Sequence, residues 1–346
     1  MNEKVVVGFS GGVDSAIAAL LLREEGYEVQ LVALDMGAID PDLFKQRVML
    51  AANVLSLPVE IIVVRELFKQ RVIDYLAESY LDGVTPNPCI RCNARMKFAL
   101  LWHAGETFHA RWLATGHYVQ LSSWENHHPV ISQGEDKTKD QSYFLQQVPR
   151  QWLAAAKFPL GKLKKENILG LARQAGYPLA DYRESQELCF VKDGSYVDLC
   201  CPGSTDTPSE TGNIVNLAGE IIGKHGGIHR YTLGQRRGLG IAHVEPLYVY
   251  AIDPVKNQLV VAERRNLYST TFIVRQLNWF IEPEQCPQRL LCQIRYRHLP
   301  APASLEIIDH DTIRVVYDQP QFAITPGQGA AFYQDGQLLF GGVISR

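Results

Sequence analysis

Val5-Val6-Val7-Gly8-Phe9 runs without a break into Ser10-Gly11-Gly12-Val13-Asp14-Ser15. The first five residues form a continuous apolar run, which reads as a strand buried in a parallel sheet. Ser15 to Glu25 follows with helical spacing, Ile17, Leu20 and Leu21 falling on one face, and Gly26 stands where a helix C-cap belongs. The glycine-rich turn therefore leaves the carboxyl end of a strand, where ligands bind in such sheets. Gly11 and Gly12 allow close backbone approach and positive φ. The amides that open the helix point at an anion, aided by the helix dipole. Ser10 and Ser15 add hydroxyl donors. The Lys-Ser/Thr ending of a Walker loop is missing, so this is not the usual γ-phosphate cradle. The competing reading is a tight turn whose glycines serve packing alone.

The alternation continues outward from this turn. Val29 to Leu34 reads as a second strand. Asp42 to Leu57 reads as a helix with Phe44, Val48, Ala51, Ala52 and Leu55 on one stripe. Val59 to Val64 is a third strand and Leu67 to Tyr80 a third helix. This order predicts an α/β fold, a doubly wound parallel sheet. Asp82 to Cys92 reads as a loop containing Pro86 and Pro88, with Asn93 as N-cap of a helix through about Ala104. Trp112 to Thr115 is a further buried strand ending in Gly116-His117-Tyr118. Around Pro202 the texture changes to short turns. From about Val260, β-branched runs separated by turn residues predict a small β-barrel. The expected organisation is a nucleotide domain over 1–197, a small central domain over 198–262 and a C-terminal β-barrel over 263–346. No internal repeat or low-complexity tract is visible.

Hydrophobic residues make up 46% and charged residues 21% of the chain, values of an ordinary soluble protein. No apolar run approaches a membrane span, and Met1-Asn2-Glu3-Lys4 opens no signal-peptide pattern. A cytoplasmic protein with no membrane partner is expected. The net charge of −3 argues against coating nucleic acid by bulk charge, though not against a local patch. Ile221 to His243 carries Lys224, Arg230, Arg236 and Arg237 with no acidic residue; a solvated surface is the plainer reading of such a run.

Seven cysteines fit thiol, ligand or catalytic roles better than a disulfide framework. Cys89 and Cys92 form a Cys-x-x-Cys pair placed just before the expected helix, a position that lowers a thiol pKa. Cys189 lies nearly a hundred residues on, in Glu187-Leu188-Cys189-Phe190. Three readings compete. One is a sulfur relay, in which one cysteine carries a persulfide and another resolves it as a disulfide. Another is an iron–sulfur cluster held by Cys89, Cys92 and Cys189, with one iron open. The last is a structural zinc site, which wants a fourth ligand. Cys200, Cys201, Cys286 and Cys292 read as ordinary core or inert thiols.

Ser-Gly-Gly-Val-Asp-Ser after a strand resembles the PP-loop of the ATP pyrophosphatases. That resemblance implies a loop holding pyrophosphate while a substrate oxygen attacks the α-phosphorus, with Asp14 helping to hold Mg²⁺. The loop occurs in one order with Thr85–Asn93, Ala114-Thr115-Gly116-His117-Tyr118, Lys139-Asp140-Gln141-Ser142-Tyr143-Phe144-Leu145, Cys189-Phe190 and Tyr231–Gly240. Together they resemble the tRNA-specific 2-thiouridylase (MnmA) family over nearly the whole chain.

The resemblance implies that ATP adenylates O2 of the wobble uracil in the tRNA anticodon stem-loop. A persulfide sulfur then replaces the adenylate, and AMP and pyrophosphate leave. The sulfur comes from a cysteine desulfurase or a sulfur-relay protein. Carried over by motif, Cys92 and Cys189 are catalytic. Gly8, Phe9, Ser10, Gly11, Gly12, Val13, Asp14, Ser15, Leu34 and Gly116 bind ATP. Asn87, Pro88 and Cys89 lie beside the target base. His117, Lys139, Asp140, Gln141, Arg295, Tyr296 and Gln328 contact tRNA. The implied cofactor is ATP with Mg²⁺ as substrate, and a [4Fe–4S] cluster is the alternative for the cysteines.

Many relatives carry Asp where this chain has Cys89, and the segment after Asp35 is short. The extra thiol strengthens the cluster reading against a two-cysteine relay. Two rival functions are separable by residue. A PP-loop synthetase acting on a small molecule does not need Cys92 and Cys189. A non-enzymatic metal-binding RNA-binding protein does not need Ser10 to Ser15.

Overall fold

The chain runs β1 (Lys4–Gly8), α1 (Val13–Glu24), β2 (Glu28–Asp35), α2 (Pro41–Leu55) and β3 (Val59–Val63). A continuous helix follows, made of α3 (Arg65–Phe68), a π-turn (Lys69–Ile73) and α4 (Asp74–Leu81). The next helix joins α5 (Pro88–Cys92), a second π-turn (Asn93–Lys97) and α6 (Phe98–Thr107). Then come β4 (Trp112–Ala114), the antiparallel pair β5 (Val119–Ser123) and β6 (Pro129–Gln133), α7 (Arg150–Ala154), β7 (Ala156–Lys157) and α8 (Lys165–Gln174). This computed structural model describes residues 2–123, 129–179, 188–191 and 211–345.

Five parallel strands form the first sheet in the order β3-β2-β1-β4-β7. The order reverses between β1 and β4, so the loops leaving these two strands part company above a crevice. That crevice is the expected ligand position in an open α/β sheet. The sheet is covered on both faces. Val5 and Val7 pack with α1, α2 and α8, whereas Val6 and Val32 pack with Phe98, Leu101 and Ala104 of α6. The stripe of α2 is the expected one: Phe44, Val48, Ala51, Ala52 and Leu55 are its buried residues. Asp40 caps this helix by accepting from the amides of Asp42 and Leu43. In α1 the expected single face is replaced by near-complete burial, Leu22 being covered more than Leu21. The reason is packing on several sides, against the sheet, α2 and α8.

The helix carrying the Cys-x-x-Cys pair starts earlier than the sequence analysis places it. Asn87, not Asn93, is the N-cap: its Oδ1 accepts from the amides of Cys89 at 3.1 Å and Ile90 at 3.2 Å. Pro88 occupies the first helical position, where its missing N–H costs nothing. Both cysteines therefore lie inside the helix rather than in a loop before it.

Beyond residue 211, β8 (Gly212–Val215), β9 (Ile221–His225), β10 (Leu247–Asp253) and β11 (Gln258–Glu263) form a sheet in the order β10-β11-β8-β9 around Ile214, Val249, Leu259 and Val261. The strands β12 (Tyr268–Trp279), β13 (Arg289–Gln293), β14 (Ala301–Asp309), β15 (Thr312–Phe322), β16 (Gly329–Gln334) and β17 (Gln337–Ser345) close into a six-stranded antiparallel barrel. Its core includes Phe332 stacked on Phe340 at 4.2 Å. The β5–β6 pair adds to this barrel through β17, with Leu338 opposite Ile131. Among the described residues, no helix is long and apolar enough to cross a membrane.

One glycine couples the barrel to the loop before α5. Gly327 has φ +90°, and a Cβ there would stand 2.3 Å from Val84 Cγ1 and 2.9 Å from the Thr85 carbonyl oxygen. Gly327→Ala should destabilise the chain by roughly 2–5 kcal/mol, from left-handed strain plus overpacking. Thermal unfolding followed by circular dichroism checks this, and an unchanged Tm would show that the contact relaxes freely.

Candidate active site

The phosphate loop is knotted by its own hydroxyls. Ser15 Oγ donates to the Gly12 carbonyl at 2.9 Å and accepts from the Ser10 amide at 3.2 Å. Gly11 takes φ +68°, and its carbonyl accepts from Tyr177 Oη at 2.7 Å. Arg47 donates to the Ser10 carbonyl at 2.7 Å. Gly12 caps α1 without a side chain, so its backbone opens directly onto the crevice. Gly116, at the end of β4, faces this loop. A Cβ on it would lie 2.9–3.0 Å from backbone atoms of Asp14 and Ser15. Gly8, Phe9, Val13 and Leu34 line or support the same carboxyl ends of β1 and β2.

Asp14 is not a lone carboxylate. Its Oδ1 accepts from Lys165 Nζ at 2.5 Å and from Tyr118 Oη at 2.6 Å. Lys165 lies 151 residues away in sequence, and no local pattern points to it. Asp35 at the end of β2 pairs with Arg65 at 2.5 Å, which holds its carboxyl below the usual range.

The second half of the site is the cysteine helix. Cys92 is 6% exposed, Cys89 is half-buried and Cys189 is exposed. Phe190, next to Cys189, packs edge-on against Phe68 of α3 at 5.3 Å. The π-turn between α5 and α6 closes with Phe98 N–H bonding Asn93 C=O, an i→i+5 ring. This winding brings residues five apart onto one face and aligns Lys97 with Cys92. Burial pushes the Cys92 thiol up to about 11, and Lys97 opposes that shift. Cys89 is raised in the same way, again against Lys97. Burial alone would lower Lys97, but Cys92, Cys189 and Cys89 hold it above the ordinary lysine range. The expected lowering of the thiol pKa by the helix N-terminus is thus overturned: desolvation outweighs the dipole, and Cys92 rests as a thiol at neutral pH. Lys97 escaped the sequence reading because a spacing of five matches no α-helical face.

Of the residues expected to meet RNA, several are engaged within the protein. His117 is buried, its Nδ1 hydrogen-bonded with Thr115 Oγ1 at 2.7 Å, and burial together with Lys97 drives its pKa to about 3. It is neutral and carries no charge to a phosphate. Asp140 accepts from Gly134 and Ser142, and Gln141 Oε1 accepts from the Tyr118 amide at 3.0 Å. Lys139 begins this loop and is half-buried. Gln328 Nε2 donates to the carbonyls of Thr85 and Pro86, which fixes the approach to Asn87 and Pro88. Arg295 donates to the Phe322 carbonyl at 3.0 Å. Tyr296 is exposed, and its ring lies 4.4 Å from that of Phe144. Asn93 Nδ2 donates to the Phe144 carbonyl at 3.1 Å, tying the cysteine helix to these aromatics.

Among the described residues no three Cys, His, Asp or Glu side chains converge as a metal-binding group. That arrangement gives no support to a cluster or zinc site on Cys89, Cys92 and Cys189. Cys292 lies in the barrel core, with Cys286 packed at its edge. Cys200 and Cys201 lie outside the described residues.

Comparison with known proteins gives one consistent match. The family described as tRNA methyl transferase HUP domain matches residues 3–193. The corresponding PRC-barrel domain matches 205–263, and an aminomethyltransferase beta-barrel domain matches 269–344. The chain is 39% identical to the tRNA-specific 2-thiouridylase MnmA of Syntrophotalea carbinolica over 99% of both chains. It is 40% identical to that of Microcystis aeruginosa over 99% of this chain and 98% of the relative. It is 38% identical to that of Clostridium acetobutylicum over the full length of both. The chain belongs to the family of the tRNA-specific 2-thiouridylase MnmA.

Proposed function

We propose that this chain is an ATP-dependent sulfurtransferase that converts the wobble uridine of tRNA to 2-thiouridine. One observation carries the reading: a phosphate loop at a sheet switch point is joined through Gly116 and His117 to a lysine-flanked group of three cysteines. Uracil O2 attacks the α-phosphorus of ATP, pyrophosphate leaves and the N3 proton is lost. The loop amides and Lys165 offset phosphate charge as it shifts. Asp14, oriented by Lys165 and Tyr118, would help to hold the Mg²⁺ that accompanies ATP, and that ion would offset phosphate charge.

Sulfur transfer needs thiolates. A persulfide on exposed Cys189 attacks C2 of the adenylated base, and AMP leaves. Cys92 then attacks Cys189 Sγ and breaks its bond to the transferred sulfur. The base becomes 2-thiouridine as N3 regains a proton, and a Cys92–Cys189 disulfide forms, to be reduced by an external thiol. Lys97 compensates the Cys92 thiolate in a buried setting. Cys189 is open to a desulfurase or relay protein that renews the persulfide. A relay is favoured over a [4Fe–4S] cluster because the thiols differ as a carrier and a resolving group should: Cys189 is exposed, whereas Cys92 is buried beside Lys97.

Asp14→Ala should lower tRNA-dependent AMP formation by about 10²–10³-fold, as loss of a charge-organising group does, and Gly116→Ala by about 10²-fold, because its Cβ displaces the Asp14–Ser15 backbone. Stem-loop binding should stay near wild type in both. Radiolabelled ATP and chromatography of AMP provide the measurement, and undiminished AMP in Asp14→Ala would remove the phosphate-loop assignment.

The cysteines separate relay from cluster. Cys92→Ser and Cys189→Ser should abolish 2-thiouridine, since a serine hydroxyl is too basic to replace a thiolate. Cys89→Ser should retain most thiolation and leave iron content irrelevant. Loss of both iron and thiolation in Cys89→Ser would favour the cluster, and full activity of Cys189→Ser would refute both schemes. Lys97→Met should slow thiolation while tRNA-dependent AMP formation persists; equal loss of both would assign Lys97 to the nucleotide step instead.

A further inference from the structure

Three arginines gather on the outer face of the two composite helices. Arg91, between Cys89 and Cys92, lays its guanidinium 3.9 Å over the Tyr75 ring. Its Nε donates to the Arg71 carbonyl at 2.6 Å, and Arg71 Nη1 donates to the Arg95 carbonyl at 2.9 Å. Each guanidinium hydrogen bond therefore ends on a main-chain carbonyl, and an aromatic face supports Arg91. These partners orient the guanidinium groups but neutralise nothing. Among the described residues, the ion pairs of this face are Arg65 with Asp35 and Lys69 with Asp74, and neither includes the three arginines. Arg71 and Arg95 are exposed. Burial works against the Arg91 cation, as do Arg95 and Arg71, with partial relief from Tyr75 and Glu78.

Gathering like charges is costly unless an anion joins them. The chain as a whole is net acidic, so general basicity does not account for the group. The guanidinium is planar, weakly hydrated and suited to two-point contact with phosphate, and on Arg91 stacking on Tyr75 occupies the face while the Arg71 carbonyl takes only Nε. The position is informative too. Arg91 and Arg95 flank Cys92 on its own helix, while Phe190 beside Cys189 packs on the helix that carries Arg71 and Tyr75. A base brought to these cysteines brings its own phosphates with it, because a splayed nucleotide stays attached to its strand.

We propose that Arg71, Arg91 and Arg95 form a backbone-phosphate site for the RNA strand at the modified nucleotide. The inference rests on the tRNA-thiolation reading. The site fixes the strand without reading sequence, as phosphate contacts do. It leaves base recognition to the Asn87, Phe144 and Tyr296 side of the helix.

The test is binding of a fluorescent anticodon stem-loop RNA, without ATP or a sulfur donor, across a potassium chloride series. Arg71→Gln/Arg95→Gln should weaken binding and flatten the log–log salt slope by roughly 0.7 for each lost contact. Arg71→Lys/Arg95→Lys should keep most of the slope, because each lysine still neutralises a phosphate. Arg91→Lys, which keeps the charge and loses the planar fork, should weaken binding at every salt concentration. A wild-type slope in the glutamine variant overturns the proposal. So does an unchanged slope accompanied by slower persulfide loading from a donor protein, which would assign the arginines to protein docking. Failure of the wild-type chain to bind the stem-loop at all would instead remove the thiolation reading on which the proposal rests.

Discussion

The backbone of Gly116 lies so close to that of Asp14 and Ser15 that no Cβ fits between them. This contact sits at the reversal of strand order, beside the crevice above β1 and β4. On one side are the amides and hydroxyls of the phosphate loop. On the other are Thr115 and His117, held by a 2.7 Å hydrogen bond, and beyond them Lys97 and the cysteines. On the proposed reading, chemistry at phosphorus and chemistry at sulfur are adjacent because two strands from one sheet end side by side. A side chain at position 116 would separate them.

The electrostatics of the two halves are opposed. The Ser10–Ser15 loop offers donors and a lysine, Lys165, already held by Asp14, an orientation that the proposed ATP chemistry would use. The cysteine helix is buried enough to keep Cys92 protonated at rest, while Lys97 favours its thiolate, the form that the proposed sulfur transfer needs. Burial without Lys97 would leave an inert thiol, and Lys97 without burial would leave a thiol open to stray oxidation.

How much of this was legible in the sequence depended on the range of the interactions. The α2 stripe and the strand–turn–helix setting of Ser10–Ser15 follow from local periodicity and turn chemistry, and both are found in the structure, with the helix opening at Val13 rather than Ser15. The start of the cysteine helix does not: the sequence analysis places the cap at Asn93, and the signal for Asn87 is Pro88 at the first helical position. Lys97 was invisible because a π-turn, not an α-helix, places it. Lys165 was invisible because its partner is 151 residues away. The addition of β5 and β6 to the barrel, and the central sheet, depend on strand pairings across long stretches of chain. Short apolar segments do not encode such partners.

The central claim is that Cys189 delivers sulfur to a base activated by ATP and that Cys92 resolves the bond as a disulfide. The most direct measurement is stoichiometry in a single anaerobic turnover of persulfide-loaded, iron-free protein with tRNA and ATP. AMP, 2-thiouridine and the Cys92–Cys189 disulfide are counted together, the disulfide by mass spectrometry of the joined peptides. The account predicts equal amounts of all three. Formation of 2-thiouridine with reduced Cys92 and Cys189, or only after iron is restored, would contradict it.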